Sequence, residues 1–130
     1  MPSQWKPDGY TTVSPYLVTR NAAGVIEFLQ NVLDAEPLRR YAGPDGTIMH
    51  AEVRIDDSVV MMGDAGADWP AMPCHLHVYV PDVDRTYARA LEYGAEAVQE
   101  PTRREGDPDR RGGVKDPGGN TWWFSTQQEG

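Results

Sequence analysis

Cysteine is almost absent from this sequence, whose 130 residues include a single one, Cys74. One thiol excludes an internal disulfide and a zinc site built on several cysteines, so we expect a protein of the reducing cytoplasm. Long apolar runs are missing too: none approaches the ~20 residues that cross a bilayer, and the opening "MPSQWKPDGY" lacks the apolar stretch of a signal peptide. These absences predict a cytoplasmic location and no membrane partner.

Positive charge is also scarce. The chain has 12 lysines and arginines against 20 aspartates and glutamates, which gives a formal net charge of -8. Because the phosphates of nucleic acids bind to basic patches, this balance argues against a nucleic-acid partner. It is compatible with a cationic ligand, and equally with acidity that only keeps the protein soluble.

The sequence does contain one strand–helix–three-strand pattern twice. In the first half, residues 13–18 favour a strand, Asn21 is a candidate N-cap, and "AAGVIEFLQNVL" repeats apolar residues at helical spacing. In the second half, "HLHVYV" favours a strand, Asp82 is the candidate cap, and "VDRTYARALEYGAE" predicts the helix. Three further strands are predicted after each helix, separated by turn residues such as "GPDG" and "DD".

Two landmarks indicate that the halves arose by internal duplication. They repeat at the same offset of about sixty residues, a coincidence better explained by duplication than by chance. The aligned pairs are Ala35-Glu36 with Ala95-Glu96 and Ile55-Asp56 with Lys115-Asp116. We predict one domain over residues 1–130, with repeats at about 11–66 and 73–127.

The motifs "PYLVTRNAAGVIEFLQNVLDAE", "PDGTIMHAEVRIDDSVVMMGD", "HLHVYVPDVDRTYARALEYGAE" and "GGVKDPGGNTWWFST" cover nearly the whole chain. With them the sequence resembles the vicinal oxygen chelate superfamily, which includes glyoxalases, bleomycin-resistance proteins and extradiol dioxygenases. The second motif and "DPGGN" resemble its PhnB-like branch. The resemblance implies an α+β fold, in which two tandem βαβββ modules form a half-open concave sheet with helices on the convex face. Function does not follow, because this scaffold carries many chemistries.

Alternation along the strands predicts which side chains face the concave side. The predicted concave set is His50, Glu52, Arg54, Val60, Met62, Asp64, His75, His77 and Tyr79. The predicted helix-facing set is Met49, Ala51, Val53, Ile55, Val59, Met61, Leu76, Val78 and Val80. The resemblance adds Ser14, Tyr16, Val18, Thr121, Trp123 and Ser125 to the concave set, and leaves Trp122 on the helix side. The polar members have an alternative interpretation as ordinary solvent-facing residues.

The resemblance also implies where a metal would bind. Its metal-using members take ligands from the first and last strand of each half, positions that fall here at Ser14, His75, Trp123 and near Met62. Only His75 is a competent ligand, because serine is poor, methionine is too soft for zinc, iron or manganese, and indole offers no lone pair in the ring plane. We therefore expect no metal cofactor. The alternative is a divalent metal on a rebuilt set of His50, His75 and His77, with Glu52 nearby.

These observations favour a homodimeric, metal-independent protein that binds a small aromatic or cationic molecule. The predicted ligand-binding residues are Tyr16, His50, Glu52, Met62, His75, His77, Tyr79 and Trp123. One alternative is a metal-dependent lyase, isomerase or dioxygenase with Glu52 as general base. Another is an interaction domain with a vestigial pocket, in which Trp123 plugs the cavity. The charged segment "PTRREGDPDRRGG" is predicted to be a mobile loop over the mouth of the site, or a solvated charge run.

Overall fold

The structure, a computed structural model, describes residues 4–128 and has the two-module order that the sequence predicts. The first module consists of β1 (Tyr16–Thr19), α1 (Ala22–Leu33), β2 (Glu36–Ala42), β3 (Ile48–Ile55) and β4 (Ser58–Asp64), with a 3₁₀ turn at Pro44–Gly46. The second consists of β5 (His75–Tyr79), α2 (Val83–Glu92), β6 (Glu96–Thr102), β7 (Asp109–Lys115) and β8 (Thr121–Gln127). Within residues 4–128, neither helix is long and apolar enough to cross a membrane.

Each module forms its own four-stranded sheet, and the two sheets have the same topology. Sheet 1 has the order β1-β4-β3-β2 and sheet 2 the order β5-β8-β7-β6. In both, the first strand of the module pairs in parallel with the last, and the other neighbours are antiparallel. The landmarks coincide as well, since Glu36 and Glu96 begin β2 and β6 while Ile55 and Lys115 end β3 and β7. The α+β fold with two tandem βαβββ modules is thereby confirmed.

Both helices begin at the predicted caps. The Asn21 side chain accepts a hydrogen bond from the backbone N–H of Gly24 at 3.1 Å, and the Asp82 side chain accepts one from Arg85 at 3.2 Å. These bonds satisfy N–H groups that have no partner within the first helical turn. The second helix ends at Glu92, before the predicted limit at Glu96, because Gly94 adopts a left-handed conformation (φ +91°) that turns the chain into β6.

One hydrophobic core joins the two modules. It contains residues from α1, α2 and the helix-facing side of both sheets, among them Leu17, Phe28, Met62, Tyr87, Trp122 and Phe124. The two helices also contact each other. The opposite sides of the sheets therefore point away from the shared core. We call them face 1, on sheet 1, and face 2, on sheet 2.

The predicted orientation of β4 is wrong. Met62 (0% exposed) and Val60 lie in the hydrophobic core, whereas Met61 lies on face 1 opposite Glu52. The reason is the hairpin at Asp56-Asp57: a two-residue turn places Ile55 opposite Ser58, so the strand that follows has the opposite parity to the one we assumed. Met62 therefore does not face a cavity.

The predicted burial of Met49 is also wrong, since its side chain is 63% exposed. The pairing of β2 with β3 shifts register between Tyr41–His50 and Ala42–Ile48, which leaves Met49 as an extra residue in β3. Such a bulge interrupts alternation, and Ile48 takes the buried place instead.

The charged segment at residues 101–113 is largely strand rather than loop. β6 continues to Thr102 and β7 begins at Asp109, so only residues 103–108 connect them. Pro101 is tolerated because β6 is the edge strand of sheet 2. Arg110 and Arg111 join the ladder opposite Thr126 and Ser125, which brings Arg111 onto face 2.

Candidate functional site

The predicted site residues lie on two separate faces. Tyr16, His50 and Glu52 are on face 1, and His75, His77, Tyr79 and Trp123 are on face 2. Within residues 4–128 no group of three or more histidine, cysteine, aspartate or glutamate side chains could hold a metal ion. The three histidines of the alternative metal site are divided in the same way, because His50 belongs to one sheet and His75 and His77 belong to the other.

Trp123 and His75 form a flat surface on face 2. The indole N–H donates to Nδ1 of His75 at 3.1 Å, and the two ring planes differ by only 11°. The ring centroids are 6.3 Å apart, too far for face-to-face contact, so the two nearly parallel rings lie beside each other and are joined by this hydrogen bond. The indole lies against Gly113, where a Cβ atom would come within 2.6 Å of the ring. Gly113 therefore allows Trp123 to lie flat on the sheet.

A polar cluster lies beside this plane. Ser125 Oγ is 2.9 Å from His77 Nε2 and accepts a hydrogen bond from Arg111 Nε at 2.9 Å. The Tyr79 hydroxyl donates to Asp109 Oδ2 at 2.7 Å, and the Arg111 guanidinium lies 3.5 Å from the same oxygen. Ser125 and Asp109 are buried, so the orientation of the exposed side chains is determined by groups held within the sheet.

Two of these groups have shifted titration behaviour. Partial loss of solvation where the imidazole lies against the sheet lowers the pKa of His77, and the positive charge of Arg111 lowers it further, against the opposing charge of Asp109. The hydrogen bond to Asp109 raises the pKa of Tyr79, and partial burial and the charge of Asp109 act in the same direction. At neutral pH the cluster therefore presents a neutral imidazole and a neutral phenol.

A cleft of about 290 Å³ adjoins the plane and is lined by Gln99, Thr102, Arg104, Asp107, Arg111 and Trp123. Two larger grooves of about 700 and 500 Å³ run beside β5 and the Asp56-Asp57 turn; both have mixed polar and apolar walls, and the second includes His77 and Tyr79. We place the candidate site at the smaller cleft, because there a flat aromatic surface meets several convergent polar groups, the combination typical of ligand sites.

The residues at the inherited metal positions, those at which metal-using members of the superfamily take their ligands, do not fit a metal. Trp123 occupies one position, and its N–H already engages Nδ1 of His75. The pairing of the sheets identifies the equivalent of Trp123 in the first module as Met61 rather than Met62, since Tyr16 pairs with Met61 as His77 pairs with Trp123. An indole and a thioether are both unsuitable for zinc, iron or manganese.

Face 1 carries a different network, centred on Glu52. This side chain is 4% exposed, with His50 Nε2 at 2.8 Å from one oxygen and the Tyr10 hydroxyl donating to the other. The Tyr16 hydroxyl is 3.2 Å from Nδ1 of the same histidine. Burial by itself raises the pKa of Glu52, but the hydrogen bonds from His50 and Tyr10 outweigh it and hold that pKa below its usual value. A carboxylate with both oxygens engaged and a lowered pKa is a weak general base.

Sequence reasoning missed Tyr10 on face 1 and Arg111, Asp109 and Gly113 on face 2. A signal existed for Arg111, Asp109 and Gly113. They occupy alternate positions of β7, which pairs with β8, and therefore lie on the same side of the sheet as Trp123. Tyr10 had no such signal, since residues 4–15 contain no helix or strand.

Comparison with known proteins supports the family. The model of the Glyoxalase/Bleomycin resistance protein/Dioxygenase superfamily matches residues 10–124. An uncharacterized protein of Mycobacterium bovis, Mb0911c, is 38% identical over 126 residues, covering 85% of this chain and 79% of that protein. The match includes the first repeat and the second repeat as far as residue 124.

Solved structures share the fold. TioX from Micromonospora sp. ML1 is 24% identical and has a TM-score of 0.70, over 91% of this chain and 98% of TioX. The fosfomycin resistance protein FosX from Listeria monocytogenes, solved with Mn(II), is 14% identical with a TM-score of 0.67, over 89% of this chain and 91% of FosX. The PhnB-like branch stays a prediction. On the family match and the shared architecture, this chain belongs to the glyoxalase/bleomycin resistance protein/dioxygenase superfamily.

Proposed function

We propose that the protein is a cytoplasmic, metal-independent binding protein for a small planar molecule, aromatic or cationic. The observation that carries this proposal is the flat surface of Trp123 and His75, held against Gly113 on face 2. A planar ligand stacks on such a surface, and the face of an indole ring attracts positive charge.

The polar cluster would orient the bound molecule. His77 and Tyr79 are exposed, neutral at pH 7 and held by Ser125 and Asp109. Asp107 pairs with Arg111 at 3.0 Å along the adjoining cleft and offsets the charge of Arg111, but not that of Arg104, which lines the same cleft and donates to Gln99 at 3.4 Å. The site thus offers stacking area from one group of residues and hydrogen-bonding direction from another.

The test is a fluorescence titration of the wild-type protein and of variants at Trp123 with three probes. N-methylquinolinium is planar and cationic, quinoline is planar and largely neutral, and cyclohexyltrimethylammonium is cationic without a planar ring. If the proposal is right, both planar probes bind on face 2 and the planar cation binds best. Binding of the non-planar cation alone would contradict a stacking site.

We further propose a homodimer. Face 1 and face 2 point away from the shared core and carry exposed aromatic side chains, Tyr16 and Tyr79 among them. In addition, β5 is an edge strand of sheet 2. The Val80 N–H donates to the Ser125 carbonyl and the Thr121 N–H donates to the Cys74 carbonyl, so these positions face β8. The peptide groups of the residues that alternate with them point to the open side of the strand. An open strand edge beside exposed aromatics is a surface that a second copy can cover.

The expected result is a mass of two chains in light scattering at micromolar concentration, because a second copy would cover the open strand edge and the exposed aromatic side chains. Lys or Pro substitutions on an open edge block strand pairing, so His77→Pro should yield a monomer. A wild-type protein that is monomeric at micromolar concentration would refute the dimer.

Metal independence has its own test. Protein purified without chelators is expected to carry less than about half an equivalent of any transition metal, since Met61 and Trp123 occupy two of the inherited ligand positions and Ser14 a third. Elemental analysis of the purified protein measures this directly. Stoichiometric metal that disappears in His75→Ala would overturn the prediction and favour the alternative, a metal-dependent lyase, isomerase or dioxygenase.

A further inference from the structure

We propose that face 1 is a second binding site, selective for phenols, and that the protein's own Tyr10 occupies it as an internal ligand. This site is separate from the one proposed on face 2, because it lies on the other sheet and uses other residues.

Glu52 is the recognition group of this site. Its carboxylate is almost completely buried, and it accepts hydrogen bonds from the Tyr10 hydroxyl and, through its other oxygen, from His50. A buried carboxylate oxygen without a hydrogen-bond donor carries a large desolvation cost. Whatever replaces Tyr10 on Glu52 must therefore supply a donor at the same place.

Arg39 selects the shape of the occupant. Its guanidinium lies over the Tyr10 ring, 5.4 Å from the ring centroid, an arrangement that attracts an aromatic face. A flat ring that carries a hydroxyl donor satisfies both Arg39 and Glu52. An anionic ligand would be repelled by Glu52, and a ring without a hydroxyl would leave its oxygen without a donor.

The phenol of Tyr10 is itself an exchangeable occupant. It is presented by residues 4–15, which contain no helix or strand and precede β1. Three other hydrogen bonds attach this segment to sheet 1. The Met61 N–H donates to the Pro15 carbonyl at 3.0 Å, next to β1, whereas Arg54 Nε donates to the Gly9 carbonyl and the Val59 N–H to Thr11 Oγ1, both at 3.3 Å. The last two are long for hydrogen bonds between nitrogen and oxygen, so the part of the segment around Tyr10 is held more weakly than its end at Pro15. Displacement of the segment would free Glu52 and Arg39 for a phenol from solution.

The experiment uses p-cresol, which has the same ring and hydroxyl as a tyrosine side chain, and toluene as the matched probe without a hydroxyl. Each is titrated into ¹⁵N-labelled wild-type protein, Tyr10→Ala and the double variant Tyr10→Ala with Glu52→Leu, while the amide signals of Glu52 and Val59 are followed by NMR. Tyr10→Ala should bind p-cresol about tenfold or more tighter than the wild type does, because no internal ligand competes. It should also prefer p-cresol to toluene by about tenfold, and lose that preference with Glu52→Leu.

Equal binding of p-cresol and toluene by Tyr10→Ala would show an unselective apolar hollow and overturn the proposal. Equal binding of p-cresol by the wild type and Tyr10→Ala would show that Tyr10 is no competitor, with the same consequence. If Tyr10→Ala does not fold, Tyr10→Phe decides: it keeps the ring but loses the bond to Glu52, and should bind p-cresol more tightly than the wild type. No change in Tyr10→Phe would also overturn the proposal.

Discussion

Replacement of Trp122 by alanine should lower the free energy of unfolding by about 3–5 kcal/mol, the loss typical of truncating a large buried aromatic side chain. Trp122 is 1% exposed and belongs to the core that joins the two modules. Its indole N–H also donates to the Asp116 carboxylate at 2.8 Å, and Asp116 is itself buried. The variant therefore creates a cavity and removes one hydrogen bond from a buried carboxylate. Urea denaturation followed by far-UV circular dichroism measures the change.

A matched control is Trp69→Ala, because Trp69 is 55% exposed and lies outside the core. Its stability should stay within about 0.5 kcal/mol of the wild type, as expected for a surface substitution. A loss of stability in Trp122→Ala no greater than in Trp69→Ala would mean that the joint core does not hold the two modules together.

Replacement of the neighbouring Trp123 by alanine should affect binding rather than stability. The variant is expected to bind N-methylquinolinium about tenfold or more weakly, because it removes most of the stacking surface and its attraction for positive charge. The fluorescence quenched by the probe in the wild type should be missing. Stability should fall less than in Trp122→Ala, because Trp123 is only half-buried on face 2.

A second variant separates the position of the indole from its presence. In Gly113→Val the side chain would overlap the Trp123 ring and force it off the sheet, so binding should fall although the tryptophan remains. The interpretation fails if Trp122→Ala and Trp123→Ala destabilise the protein equally while quenching survives in Trp123→Ala. Trp123 would then be part of the packing, and face 2 would have no ligand surface at that point.

Much of the fold could be predicted from local sequence. The caps Asn21 and Asp82 and the helical spacing of apolar residues after each determine where α1 and α2 begin, because these interactions span only three or four residues. The alternation in "HLHVYV" likewise predicted the sides of His75 and His77, whereas the side of Trp123 was predicted from the family resemblance. The duplication was visible because its landmarks recur at one offset.

The orientation of β4 and the interruption in β3 depended on register. Met62 and Met49 were placed on the wrong side because a two-residue turn and a bulge change parity, and a shift of one residue exchanges the two sides of a strand. The turn at Asp56-Asp57 was itself readable, and its length, taken into account, would have placed Met61 on face 1.

The sequence by itself therefore determined the two modules, their helices and the chemistry of the side chains on each strand, since these follow from contacts between near neighbours in the chain. Only the tertiary structure decided that His50 and Glu52 lie on one face and His75, His77 and Trp123 on another, because this depends on how two sheets pack through a common core. It also decided that Tyr10 reaches Glu52, a contact across 42 residues made by a segment without helix or strand. Contacts of that kind leave no periodic signal in a sequence, because they depend on the surface against which the segment packs and not on a repeating pattern within the segment.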